Sequence, residues 1–184
     1  MKTILILRHA KSDWGDVNLS DFDRPLTERG LTDAPRMGEV LALYGLLPDK
    51  ILSSPAKRAK QTAELVAKAC GYAKKLIQWE DSFYGGSQND LIGALKRLPD
   101  DLNRVLLIGH NPTMESIVAR LCTFGGTPSA WGDMGGGLSM SIPTAGLVCL
   151  EADVQHWSEI NMGNAALRWF IEPKLVKALM RSEE

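Results

Sequence analysis

Three histidines, three cysteines and no excess of either charge leave several function classes without support. The formal net charge is −1 over 184 residues. A nucleic-acid groove or an anionic-membrane face needs a surplus of lysine and arginine, so neither partner is expected. A small, local cationic pocket is compatible with that balance. No apolar run approaches the roughly 18 residues that cross a bilayer. The first run, Ile4–Leu7, is too short for the core of a signal peptide and no small-residue cleavage site follows it. Cys70, Cys122 and Cys149 are far apart and contain no C-x-x-C pair, which leaves no basis for a disulfide framework or a cysteine zinc site. Each lies in an apolar segment and is expected as a buried, reduced thiol in a cytoplasmic protein. The chain also lacks G-x-x-x-x-G-K-[ST], G-x-G-x-x-G and H-E-x-x-H, so no nucleotide cradle, metal or other cofactor is expected.

What is present is a soluble composition, 45% hydrophobic and 23% charged, in a length that suits one domain over residues 1–184 with a sizeable core. Apolar runs predict strands at Thr3–Leu7, Ile51-Leu52, Leu76–Trp79, Val105–Ile108, Leu138–Ile142, Leu147–Glu151 and Leu167–Ile171. Helical periodicity predicts a helix from a Thr27 cap to about Tyr44, with Leu31, Ala34, Met37, Leu41 and Tyr44 inward. A second helix is expected to open at Ser54-Pro55 with a hydroxyl cap. Further helices are expected after Ser87, after Asn111-Pro112 and after Pro173. Strands alternating with helices, and apolar throughout, indicate an α/β three-layer sandwich with a mainly parallel central sheet.

In such sheets ligands bind beyond the carboxyl ends of the strands. Three strands end on chemistry: one at Arg8-His9-Ala10, one at "SSPAKRAKQT" (53–62), one at "GHNP" (109–112). Two of the three histidines, His9 and His110, sit at these ends, and Arg8 and Arg58 join them. A lone histidine after a strand is ordinarily a structural residue; four such groups placed at one sheet end are not explained that way. Two guanidiniums match phosphate oxygens, a helix start adds backbone donors, and a neutral imidazole is a nucleophile near pH 7. The pattern predicts a site for a phosphoryl group. Lys11 and Ser12, next to His9, are placed at its mouth. Arg24 lies in an acidic loop and either reaches substrate or pairs with Asp21 or Asp23. His156 is expected at the surface, and the glycine-rich segment 125–137 is a candidate rim or lid.

These motifs resemble the histidine phosphatase superfamily, whose fold is phosphoglycerate mutase-like. The family's Arg-His-Gly/Ala is matched by Arg8-His9-Ala10, its Ser-Pro-x-x-Arg-Ala-x-x-Thr by residues 54–62, and its Gly-His-Asn by Gly109-His110-Asn111. The short length and "DFDRPLTERG" (21–30) are similar to the small phosphohistidine phosphatases of the SixA type. The resemblance implies that His9 is transiently phosphorylated, with no metal, and that Arg8, Arg58 and His110 bind the phosphoryl oxygens. Asn111 is counted with this phosphate-binding group. It also implies an acid for the leaving group, best matched by Asp81, with Glu80 its neighbour and competitor. The implied substrate is a phosphohistidine protein or a small phosphoester. A phosphate-binding module with little turnover and a phosphoglycerate-type mutase are the alternatives. Nothing in the pattern fixes the oligomeric state.

Overall fold

The aliphatic runs become neighbours in one sheet. The computed structural model describes residues 1–122 and 140–181. Its strands are β1 (Lys2–Arg8), β2 (Lys50–Ser53), β3 (Gln78–Trp79), β4 (Arg104–Gly109), β5 (Leu147–Ala152) and β6 (Ala165–Ile171), in the order β3-β2-β4-β1-β5-β6. The pairs β1–β4, β4–β2 and β2–β3 are parallel; β5 is antiparallel to both β1 and β6. The reversal has a local cause. Residues 143–146 turn against the carboxyl end of β1, where Arg8 N donates to the Gly146 carbonyl and Ala145 N to the carbonyls of Arg8 and His9. A strand that starts at that end must run back along β1.

Ile4, Leu5, Ile6 and Leu7 are all fully buried because both faces of the sheet are covered. Alternation sends Ile4 and Ile6 to one core and Leu5 and Leu7 to the other. Helices α1 (Glu28–Leu43), α2 (Lys57–Ala69) and α5 (Pro173–Arg181) cover the second face; α3 (Gln88–Lys96) and α4 (Thr113–Leu121) cover the first. The result is the expected three-layer α/β sandwich. No helix among the described residues is long and apolar enough to cross a membrane.

Several local expectations need correction. Thr27 does cap α1, its Oγ1 accepting from Gly30 N at 3.2 Å, and Ala34, Met37 and Leu41 are inward, but Leu31 and Tyr44 are exposed. The helix turns Gly30 and Gly38 inward instead, at approaches so close that a methyl group would strike the carbonyls of Lys11 and Val66. The second helix begins at Lys57 rather than at Ser54-Pro55, since Ala56 has ψ 136 and is not helical. Lys74–Leu76 is a 3-10 turn before the two-residue β3. Residues 140–142 are not a strand: the backbone of Ile142 is engaged by the side chains of Arg8, Asn111 and Glu115. The remainder of that expected strand, and the candidate rim 125–137, lie outside the described residues.

Candidate active site

The order β2-β4-β1 places three carboxyl ends side by side. Arg8 is opposite Gly109, and Ser53 is opposite Ile108. One residue further on, His9 N donates to the Gly109 carbonyl and Ser54 N to the Ile108 carbonyl, each at 3.0 Å. The sheet ladder therefore carries His9, Ser54 and His110 to a common edge, with the two imidazole centroids 5.0 Å apart and tilted by 52°.

His9 Nδ1 is 2.7 Å from the Ala10 carbonyl. A carbonyl only accepts, so Nδ1 carries the proton and the lone pair sits on Nε2. Burial pushes the His9 pKa down to about 3, with the charges of His110, Arg58 and Arg8 adding to it and the Ala10 hydrogen bond opposing. The ring is neutral at pH 7. Burial and Arg58 likewise push His110 down to about 4, against the pull of Asp21. Its Nε2 is 2.9 Å from Ser54 Oγ; that hydroxyl accepts from Ala56 N at 3.3 Å and has its own proton to give to Nε2, the tautomer that leaves the His110 proton on Nδ1.

Arg8 donates from Nη1 to the Ile142 carbonyl at 2.8 Å. Arg58, 5% exposed, gives Nη1 to the Asp21 carbonyl and Nη2 to Asp21 Oδ2 at 2.9 Å. Among the described residues, Arg8 Nε, Arg58 Nε and His110 Nδ1 are buried without a hydrogen-bond partner. Buried donors are nearly always satisfied. Of the six buried unpaired side-chain atoms among the described residues, these three are grouped around a neutral imidazole and form a cradle for an anion with several oxygens.

The frame that holds this cradle includes residues that carried no role in the sequence pattern. Asp21 accepts from Arg24 Nε and Nη2 at 3.0 and 2.7 Å, from Arg58, and from Tyr84 Oη at 3.1 Å. Partial burial opposes ionisation of Asp21, but these hydrogen bonds outweigh it and hold the carboxyl below the usual carboxylate range. The Tyr84 ring stands edge-on to His110 at 5.7 Å and to Phe22 at 5.0 Å. Thr62 Oγ1 accepts from Ala10 N at 3.0 Å and donates to the Arg58 carbonyl at 2.7 Å. Glu115 accepts from Asn111 Nδ2 at 2.6 Å and from Ile142 N at 2.9 Å.

The structure brings Arg8, His9, Arg58 and His110 together. Other expected contacts are engaged elsewhere. Every guanidinium nitrogen of Arg24 is used, on Asp21, Ser12 Oγ and the Asp13 carbonyl, and its Cζ lies 3.4 Å from the Trp14 ring centroid. Ser12 is buried as that partner. Asn111 gives its amide nitrogen to Glu115 and the Ile142 carbonyl. Asn111 thereby spends both amide protons on the frame, while Ser12 and Arg24 are bonded to each other and to the loop that carries Asp13 and Asp21. Lys11 is exposed, and its carbonyl accepts from Thr27 N and Oγ1. Glu80 is tied to Gln78 Nε2 at 2.6 Å and faces Arg97 at 3.7 Å. Asp81 is exposed at the first residue of the 3-10 turn Asp81–Phe83, with no side-chain bond to a described residue. His156 is exposed and pairs with Asp100 Oδ2 at 2.8 Å. No group of three or more His, Cys, Asp or Glu among the described residues is arranged to hold a metal ion.

The family model of the histidine phosphatase superfamily (branch 1) matches residues 4–81. An uncharacterized protein of Mycobacterium tuberculosis is 32% identical over 170 residues, which are 91% of this chain and 100% of that one. A candidate phosphohistidine phosphatase SixA from Agrobacterium tumefaciens is 28% identical, with TM-score 0.71 over 94% of this chain and 98% of that one. The chain belongs to the histidine phosphatase superfamily. A protein histidine phosphatase SixA complexed with tungstate shares the fold, at 23% identity and TM-score 0.77 over 95% of this chain and 99% of that chain. In this member of the superfamily the family motifs fall on the strand-end cluster. It presents a neutral Nε2, three unpaired donors and an adjacent ionised Asp21 that braces one of the arginines.

Proposed function

We propose that this chain is a metal-independent, SixA-type phosphatase that removes phosphoryl groups from protein phosphohistidine through a phosphohistidine intermediate on His9. The observation that carries the reading is the neutral His9 ring, its proton fixed on Nδ1, beside the buried, unpaired Nε of Arg8, Nε of Arg58 and Nδ1 of His110. The Nε2 lone pair forms a bond to phosphorus as the bond to the leaving nitrogen breaks. The three donors hold the equatorial oxygens, where charge develops. The leaving nitrogen takes a proton from Asp81, the carboxyl group without a described partner, whereas Glu80 is tied down. Asp81 then accepts a proton from the water that attacks phosphorus, releasing inorganic phosphate and restoring His9. A P–N bond breaks readily once its nitrogen is protonated, so an exposed acid suffices for this substrate better than for an alkyl ester. The three cysteines are buried free thiols, which supports a reducing, cytoplasmic setting.

Turnover of a histidine-phosphorylated peptide, measured with and without chelator, tests the reading. The expected result is activity indifferent to chelator and reduced about a thousandfold or more in His9→Ala. Activity that survives in His9→Ala would sink the mechanism. Tight tungstate binding without turnover of any phospho-substrate would make the chain a binding module, and transfer to 3-phosphoglycerate in preference to water would make it a mutase.

A further inference from the structure

Charge is distributed unevenly around the mouth of the site. Residues 57–79 expose Lys57, Lys60, Lys68, Lys74 and Lys75 and contain one acid, Glu64, although the whole chain stands at −1. The loop between β1 and α1 exposes Asp13, Asp16, Asp21 and Asp23. The two regions meet at the rim, where Lys57 N donates to the Phe22 carbonyl at 2.9 Å, and Phe22 leads through Tyr84 to His110. From there the lysine face passes Trp79, which ends β3 at the same end of the sheet as the site.

This face is shaped as well as charged. Lys60, Glu64, Lys74, Lys75, Ile77 and Trp79 line an open hollow of about 550 Å³. Lys60 Nζ lies 5.5 Å from the Trp79 ring centroid, and Leu76 beside it is exposed. Among the described residues only Lys74 of the five lysines has an acidic partner, Glu64 at 2.9 Å.

We propose that this lysine face docks an acidic segment of the protein whose phosphorylated side chain enters the site; the proposal rests on the phosphoprotein reading above. The aspartates of that loop without a cationic partner among the described residues, Asp13, Asp16 and Asp23, decide the kind of partner. Nucleic acid or an anionic membrane is negative everywhere and would meet them with like charge. A protein segment is acidic on one side only, and can add the apolar contacts that Leu76 and Trp79 invite. Lysines are point charges on flexible stems and do not demand one carboxylate geometry. They raise the rate of encounter and fix its orientation more than they raise affinity.

Two synthetic peptides of equal length test this, each with a central histidine phosphorylated by phosphoramidate. One is flanked by Asp, Glu and Leu, the other by Asn, Gln and Leu. The expected kcat/KM is roughly tenfold higher for the acidic peptide at low salt. That preference is expected to vanish at about 0.5 M sodium chloride and in Lys60→Glu/Lys75→Glu, while phosphoimidazole turnover stays unchanged in the variant. Equal turnover of the two peptides, or a preference that survives charge reversal, overturns the docking face. Failure of the phosphoprotein reading looks different: neither phosphoimidazole nor either peptide is turned over. Docking is then still read from the anisotropy of the labelled, unphosphorylated acidic peptide, whose binding must weaken in the double variant. Tighter binding of duplex DNA or phosphatidylserine vesicles than of that peptide assigns the face to another partner and also overturns the proposal.

Discussion

Both ends of β1 hold a cation, and they treat it in opposite ways. At the amino end Lys2, 2% exposed, donates from Nζ to the carbonyls of Asp100 and Leu102 at 2.7 and 2.8 Å and to Asn103 Oδ1 at 3.4 Å, with the Trp157 ring 5.6 Å away. An ammonium has three protons, and all three are spent. At the carboxyl end Arg8 uses Nη1 on Ile142 and leaves Nε unpaired, as Arg58 leaves its Nε and His110 its Nδ1. A buried polar group without a partner costs about 1–3 kcal/mol. Around the carboxyl-end cation that cost falls on three neighbouring groups at once, whereas Lys2 bears none of it, and the amino end of the sheet carries one such atom, Arg104 Nε. Neither a buried charge nor a single unpaired atom such as Arg104 Nε or Arg120 Nε marks a site; three unpaired groups converging on one imidazole do.

The comparison breaks or sharpens under substitution. Arg58→Lys removes the unpaired Nε and the fork held by Asp21, and is expected to lower kcat/KM on a phosphohistidine peptide by about a hundredfold while tungstate binding weakens. Lys2→Met is the opposite experiment. It is expected to lower unfolding free energy in urea by about 2–3 kcal/mol, because three acceptors lose their partner, with kcat unchanged; a fall in kcat in the folded variant would erase the distinction between the two ends. Asp21→Asn keeps the shape but removes the charge that braces Arg58 and Arg24, and should lower kcat/KM about tenfold, mostly through KM.

The pH dependence of stability reads the site's two imidazoles directly. His9 and His110 are held at about 3 and about 4 in the folded protein, and return to about 6.5 on unfolding. Above that pH both states are neutral and the groups contribute nothing to the slope. As pH falls from about 6.5 toward about 4, the unfolded chain takes up protons that the folded chain refuses. Stability should drop by at most about 1.4 kcal/mol per pH unit for each histidine. Carboxyls such as Asp21 and Asp100, whose pKa values are lowered, lose their contribution only near pH 4 and below. Urea midpoints between pH 5 and 6.5 thus isolate the imidazoles, and His110→Phe should flatten the slope.

The halves of the site differ in how far they could be read from the chain. Arg8, His9 and His110 are legible because an apolar run stops at each, and a strand's end is a local property. Arg58 is legible from its place in the first turn of a helix. Asp21 is not: the residue that it braces is Arg58, 37 positions away, and the pattern DFDR does not say which aspartate turns inward. Tyr84 reaches His110 only because β3 and its following turn lie beside β2. Asn111 adjoins a motif, yet proximity in sequence says nothing about where its two amide protons are spent, here on Glu115 and the Ile142 carbonyl. Leu31 and Tyr44 were misplaced for a related reason. Periodicity counts apolar residues, and α1 packs through glycines that it does not count.

Thr62 has a consequence beyond holding a loop. One hydroxyl receives from the residue after the nucleophile and gives to the carbonyl of Arg58. The gap between attacking nitrogen and anion-holding cation is thereby gauged by two short links, not by the 52 residues of chain that separate Ala10 from Thr62. Strand and helix are free to drift together in thermal motion, while the span between them is kept. Accuracy here is relative: what the molecule conserves is a separation, not a position.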